Sequence, residues 1–112
     1  MGFLNKIKKS IELKQRMPNN ESIKKIENKI LELTKQLKKN PNDSKIITKL
    51  YMCYVEISDT GKKIECLKKL SQLLPNDFYS FQQLADIYLN EFENIAQAKI
   101  YQNQANNIKN SF

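Results

Sequence analysis

Few side chains in this sequence could carry out covalent or acid–base chemistry. The 112 residues include no histidine and only two cysteines, Cys53 and Cys66, which are too far apart for a CxxC pair. Without histidine there is no Ser–His or Cys–His pair and no ordinary general base near neutral pH. The two glycines, Gly2 and Gly61, stand alone and form no phosphate-binding loop. The residue types therefore predict a protein that is not an enzyme and that holds neither a metal nor a cofactor.

The charged side chains are distributed unevenly along the chain. The net charge is +7; residues 1–39 contain eleven basic and four acidic side chains, whereas residues 40–112 contain eight of each. The N-terminal third thus carries the whole excess. Such an excess indicates an anionic partner, which could be an acidic protein, membrane headgroups or nucleic acid, or else a basic face exposed to solvent.

The sequence also carries signals about location. Its start lacks the apolar stretch of a signal peptide, and no apolar run is long enough to span a bilayer. Cys53 and Cys66 fall within apolar helical patterns, so we expect buried free thiols in a reducing compartment. These features predict a cytoplasmic protein, with association at a membrane surface as an alternative.

Apolar residues recur at spacings of three and four along most of the chain, which predicts helices and no strands. Pro18, Asn40-Pro41 and Pro75 mark breaks between them. We expect an all-α, antiparallel array of about six helices in one compact domain. The predicted helices cover residues 3–17, 21–39, 44–57 and 61–74, followed by two that carry the apolar residues of 78–89 and 95–108.

The chain resembles itself when it is shifted by 34 along its numbering. The segment Asn40–Asp43 recurs as Leu74–Asp77, with proline and aspartate at matching places. Apolar residues match at the same shift, which is too many coincidences for chance. The matched residues are Ile47 with Phe81, Leu50 with Leu84, Tyr54 with Tyr88 and Val55 with Leu89, together with Ile30, Ile64 and Ala98 and with Leu33, Leu67 and Tyr101.

A helix–turn–helix period of 34 that ends in proline resembles the tetratricopeptide repeat (TPR) family. Residues 78–111 are most similar to its pattern, through Leu84-Ala85, Tyr88 and the alanines Ala98 and Ala105. Matching both alanines requires one inserted residue in the turn around residues 91–93. The resemblance implies a solenoid of helix hairpins in which small residues let paired helices approach closely.

Other parts of the chain depart from the TPR pattern. In residues 44–77, Leu50, Tyr54 and Pro75 match, but Tyr51 occupies the place of a small residue and Lys63 stands where another is expected. We therefore divide the domain into a basic helical hairpin over residues 1–39, a degenerate repeat or a cap, and two TPR-like repeats over residues 40–112. A generic helical bundle is the alternative.

The resemblance implies a function in binding another protein, as an adaptor or an assembly subunit. TPR proteins hold peptides or helices on a concave face lined by the first helix of each repeat. The charges expected on this face are mixed, which favours an apolar or helical segment over a partner's terminal carboxylate. The implied positions are Lys45, Thr48, Met52, Glu56, Tyr79, Gln82, Gln83 and Asp86.

The first predicted helix supports an alternative function, as a tether to a membrane or to an acidic surface. It has an apolar stripe opposite basic residues and could equally pack against residues 21–39. Because two copies of a +7 chain would repel each other, a different, acidic protein in a larger complex is favoured over a homodimer. No nucleic-acid-binding motif accompanies the charge. The residues of this surface are Phe3, Leu4, Lys6, Ile7, Lys8, Lys9, Ile11, Lys14 and Arg16.

Overall fold

Residues 20–111 form five α-helices joined by short turns. The computed structural model describes these residues, and they contain no strand. The prediction of an all-helical protein is therefore confirmed for this part of the chain. The helix predicted over residues 3–17, and with it the count of six, lies outside the described residues. The helices are α1 (Asn20–Lys39), α2 (Ser44–Glu56), α3 (Thr60–Leu73), α4 (Phe78–Asn90) and α5 (Ile95–Ser111).

Aspartate residues cap the N-terminal ends of three of the helices. Asp43 accepts a hydrogen bond from the backbone N–H of Lys45 at 2.9 Å, and Asp77 accepts one from that of Tyr79 at 3.0 Å. Asp59 caps α3 in the same way. The first N–H groups of a helix have no partner within it, so a carboxylate at this position stabilises the helix by about 1 kcal/mol. Local sequence therefore determines where α2, α3 and α4 start.

The core lies between helices that follow one another in the chain. Among residues 20–111, Cα atoms of different helices come within 8 Å of each other only in the pairs α1–α2, α2–α3, α3–α4 and α4–α5. In the described part of the chain, Leu67 on α3 and Leu84 on α4 are the largest fully buried side chains. The core cluster consists of Leu33, Ile46, Ile47, Leu50, Tyr51, Cys53, Cys66, Leu67, Leu70, Leu84 and Ile87.

The turns α2–α3 and α4–α5 differ in length. Helix α2 ends at Glu56 and α3 begins at Thr60, whereas α4 ends at Asn90 and α5 begins at Ile95. The turn after α4 therefore holds one more residue than the turn after α2. It is the turn in which the sequence comparison requires an insertion.

Some residues matched across the internal repeat have similar exposure, whereas others, such as buried Ile47 and partly buried Phe81, differ. Leu50 and Leu84 are buried, 4% and 0% exposed. Val55 and Leu89, one position beyond Tyr54 and Tyr88, are 45% and 48% exposed, although their apolar character predicts an inward position for both. They lie at the edge of the apolar stripe, where the helix surface turns towards solvent.

Candidate functional site

The residues predicted to face a partner lie on the outward sides of α2 and α4. The four on α2 and Tyr79 on α4 are exposed, while the other three on α4 are partly buried. Met52 is 59% exposed and Tyr79 is 50% exposed, high values for side chains of this size and apolar character. This surface, called the α2–α4 face below, consists of Lys45, Thr48, Met52, Glu56, Tyr79, Gln82, Gln83 and Asp86.

Tyr51 connects α2 to α4 beneath this face. Its side chain is buried, and Tyr79 on α4 lies close enough to affect its ionisation. Burial, followed by the interaction with Tyr79, raises the pKa of Tyr51 to about 12, and the carboxylates of Glu91 and Asp86 add to the shift. No Cα atoms of α2 and α4 come within 8 Å of each other. A tyrosine at a place where the TPR pattern has a small residue therefore reaches towards α4 while the two backbones stay apart.

Gln82 contacts α5 rather than α2. Its amide and that of Gln102 exchange two hydrogen bonds, of 2.7 and 3.0 Å. Its Nε2 also donates to Asp86 Oδ1 at 3.2 Å, and its Oε1 accepts from Lys109 at 3.4 Å. These hydrogen bonds hold Gln82 and Asp86 in place and leave Met52, Tyr79 and the α2 side chains as the more accessible part of the α2–α4 face.

Two exposed apolar residues extend this accessible part, although the sequence pattern does not assign them to it. Val55 lies three residues after Met52 and therefore on the same side of α2. Leu89 has the equivalent place on α4, three residues after Asp86. Their exposed fractions are 45% and 48%. Val55 directly follows Tyr54 in the sequence, and Leu89 directly follows Tyr88. This repeated pairing with a core residue is the sequence feature that could have identified them.

Glu91 lies at the C-terminal end of α4, and its side chain contacts two residues at the start of α3. Its carboxylate accepts a hydrogen bond from Thr60 at 3.3 Å and pairs with Lys63 at 3.5 Å. Both contacts go to the same oxygen, Oε1, and they connect the start of α3 to the end of α4. The TPR pattern has a small residue at the position of Lys63. In this chain Lys63 instead forms an ion pair with Glu91.

The cysteines are buried free thiols, as predicted. Burial raises the pKa of Cys66 to about 11 and raises that of Cys53 as well. Both thiols therefore stay protonated at neutral pH, and a protonated thiol is a poor nucleophile and a poor metal ligand. Among residues 20–111, no group of three or more histidine, cysteine or acidic side chains is placed to hold a metal ion.

The predicted basic amphipathic surface, Phe3 to Arg16, lies outside the described residues. Its role as a tether stays a prediction. Within residues 20–111, no helix combines the length and the apolar character needed to cross a membrane.

Replacing Tyr51 with phenylalanine should change how the stability of the protein depends on pH. At neutral pH, where Tyr51 keeps its proton in both the folded and the unfolded chain, we expect a change within about 1 kcal/mol. In the wild type, folded Tyr51 keeps its proton up to about pH 12, whereas in the unfolded chain it loses it near pH 10. Raising the pH through this window therefore favours unfolding, and Tyr51→Phe removes that contribution.

Urea unfolding followed by circular dichroism, repeated across this pH window, measures the effect. Tyr79→Phe is the matched control, because it also removes one tyrosine hydroxyl and leaves Tyr51 able to ionise. It should keep most of the decline at alkaline pH, because burial is the largest cause of the raised pKa of Tyr51. Equal declines in the wild type and in Tyr51→Phe would show that Tyr51 is not the buried group described above.

Comparisons with known protein families, with curated proteins and with solved structures find no match to this chain.

Proposed function

We propose that this chain is a non-catalytic protein-binding module that holds an apolar or helical segment of a partner protein on the α2–α4 face. The observation that carries the proposal is the exposure of large side chains there, 59% for Met52 and 50% for Tyr79. Val55 and Leu89 add exposed apolar surface beside them. Apolar side chains gathered on one exposed surface are typical of binding sites.

The matched features of the two hairpins support a TPR-like interpretation. The aspartates that cap α2 and α4, Asp43 and Asp77, are matched by the repeat and each accepts the N–H two positions further along. The helix pairs α2–α3 and α4–α5 differ by one residue in the turn. In arrays of helix hairpins the first helices line the surface that holds peptides. On this interpretation α2 and α4 are those helices.

The charges on the face favour a particular kind of segment. Lys45 and Glu56 lie at opposite ends of α2, and the exposed side chains of the face between them are neutral. A partner helix with apolar residues every three or four positions would contact Met52 and Tyr79. Its acidic end would lie near Lys45 and its basic end near Glu56, which would determine its direction along α2.

Alanine at Met52, Tyr79 and Gln83 together should weaken binding of the partner by about tenfold or more, because exposed aromatic and apolar side chains contribute most to such interfaces. The partner is isolated by pull-down from the native source, and its affinity for the purified variants is measured by calorimetry. Tyr79 also lies near Tyr51 of the core, so thermal unfolding is recorded alongside to separate weaker binding from lost stability.

The matched control replaces Gln72 on α3 and Asn103 on α5 with alanine. Both side chains lie on the second helix of a hairpin, and neither belongs to the α2–α4 face. This variant should bind the partner as tightly as the wild type. A partner that binds the triple variant and the control equally well would show that the α2–α4 face is not the binding site.

A further inference from the structure

An open groove of about 770 Å³ lies where the α3–α4 turn meets the C-terminal end of α5. Leu73 and Leu74 form one side, Phe78 at the start of α4 forms another, and Ile108 and Lys109 on α5 complete it. Leu74 is 39% exposed and Phe78 is 41% exposed, so the groove offers accessible apolar surface. We call it the turn groove; none of these residues belongs to the α2–α4 face.

The equivalent turn between α1 and α2 has the same backbone hydrogen bonds. In one turn the N–H of Asp43 donates to the carbonyl of Asn40 at 3.2 Å, and in the other the N–H of Asp77 donates to that of Leu74 at 3.1 Å. Asp43 and Asp77 also cap the helices that follow. The α1–α2 turn and the α3–α4 turn therefore have the same backbone hydrogen bond and the same type of helix cap.

The side chains of the two turns differ in polarity. Where the α3–α4 turn has Leu74 and Phe78, the α1–α2 turn has Asn40 and Ser44. Since polar residues form the same turn, its geometry does not require an exposed leucine and an exposed phenylalanine. Exposed apolar side chains that the fold does not need indicate a surface used for binding.

Lys109 supplies a positive charge at the rim of the turn groove. Its Nζ lies 4.8 Å from the centre of the Phe78 ring and 3.4 Å from Gln82 Oε1. The salt bridges among residues 20–111 do not include it. Asp77, the carboxylate that lines the groove, already accepts the N–H of Tyr79 at 3.0 Å. A carboxylate from outside would therefore meet a cation that has no acidic partner in this part of the chain.

We propose that the turn groove binds a short segment of a partner protein in which apolar side chains stand beside an acidic residue. The apolar side chains would cover Leu74 and Phe78, and the carboxylate would pair with Lys109. Residues 40–112 carry equal numbers of basic and acidic side chains, so Lys109 itself supplies the attraction for the carboxylate. This site shares no residue with the α2–α4 face, although Lys109 hydrogen-bonds Gln82 of that face, and the two sites are tested with different substitutions.

The test uses the full chain and a phage-displayed library of random short peptides as the probe. The double variant Leu74→Asn, Phe78→Ser removes the apolar surface by installing the residues of the equivalent turn, so the turn should be retained; circular dichroism checks this. Peptides enriched on the wild type should combine large apolar residues with aspartate or glutamate. Synthetic copies should bind the double variant about tenfold more weakly or worse.

Two further variants distinguish peptide binding in the turn groove from binding on the α2–α4 face. The triple alanine variant of Met52, Tyr79 and Gln83 should bind the enriched peptides as the wild type does. Lys109→Glu, at an exposed side chain, should shift the preference from acidic to basic peptides, and it gives a readout even if the double variant unfolds.

The proposal is overturned if no peptide is enriched, if enriched peptides bind the double variant as tightly as the wild type, or if they show no acidic preference. A wild-type dimer that the double variant converts to a monomer would assign the groove to a second copy and would also overturn it.

Discussion

Replacing Leu84 with alanine is expected to lower the free energy of unfolding by about 2–5 kcal/mol. Leu84 lies on α4 and is 0% exposed, within the core cluster that joins α2, α3 and α4. Truncation removes buried apolar surface and leaves a cavity that the neighbouring helices cannot fill completely. The loss is a large part of the about 5–15 kcal/mol that stabilises a typical domain. Urea unfolding monitored by circular dichroism measures it.

Leu89→Ala is the matched control, since it is the same substitution on the same helix. Leu89 is 48% exposed, so we expect a change within about 0.5 kcal/mol. Similar losses for the two variants, or a loss below about 1 kcal/mol for Leu84→Ala, would contradict the orientation of α4 described above.

Enlarging Ala105 to leucine is expected to destabilise the protein by about 1–3 kcal/mol. Ala105 lies on α5, which packs against α4, and it is 0% exposed. Ala98, two turns earlier on the same side of α5, is also buried. A leucine at position 105 has no space unless α5 moves away from α4. The midpoint of thermal unfolding should fall accordingly.

Ala96→Leu provides the comparison for this variant. Ala96 is exposed near the start of α5, so a larger side chain there meets solvent and should change stability by no more than about 0.5 kcal/mol. If Ala105→Leu is as stable as Ala96→Leu, α5 does not pack on α4 through its alanines.

The helices and their boundaries could be predicted from the sequence because their signals are local. Apolar spacing identifies α1 to α5, and the breaks coincide with residues that cannot continue a helix, such as Pro41 and Pro75. Predicted and observed boundaries agree within one residue for α1 to α3. The caps at Asp43 and Asp77 likewise depend on residues only two or three positions away.

Features that depend on how helices are placed against one another could not be predicted. The interaction between Tyr51 and Tyr79 involves residues on different helices, and apolar spacing on α2 alone does not reveal it. The same holds for Gln82, which the repeat pattern assigns to an open face and which contacts Gln102. The turn groove has no sequence signal because it combines residues from three elements, including Lys109, which has no distinctive sequence context.

Within residues 20–111, each helix packs only against its neighbours along the chain, which has a consequence for folding kinetics. Residues that meet in the native state are close in sequence, so forming each contact closes only a short loop and costs little chain entropy. Domains with such local contacts fold quickly. The pair α1–α2 can assemble without waiting for α5, and during synthesis it can form while the C-terminal residues are still being added.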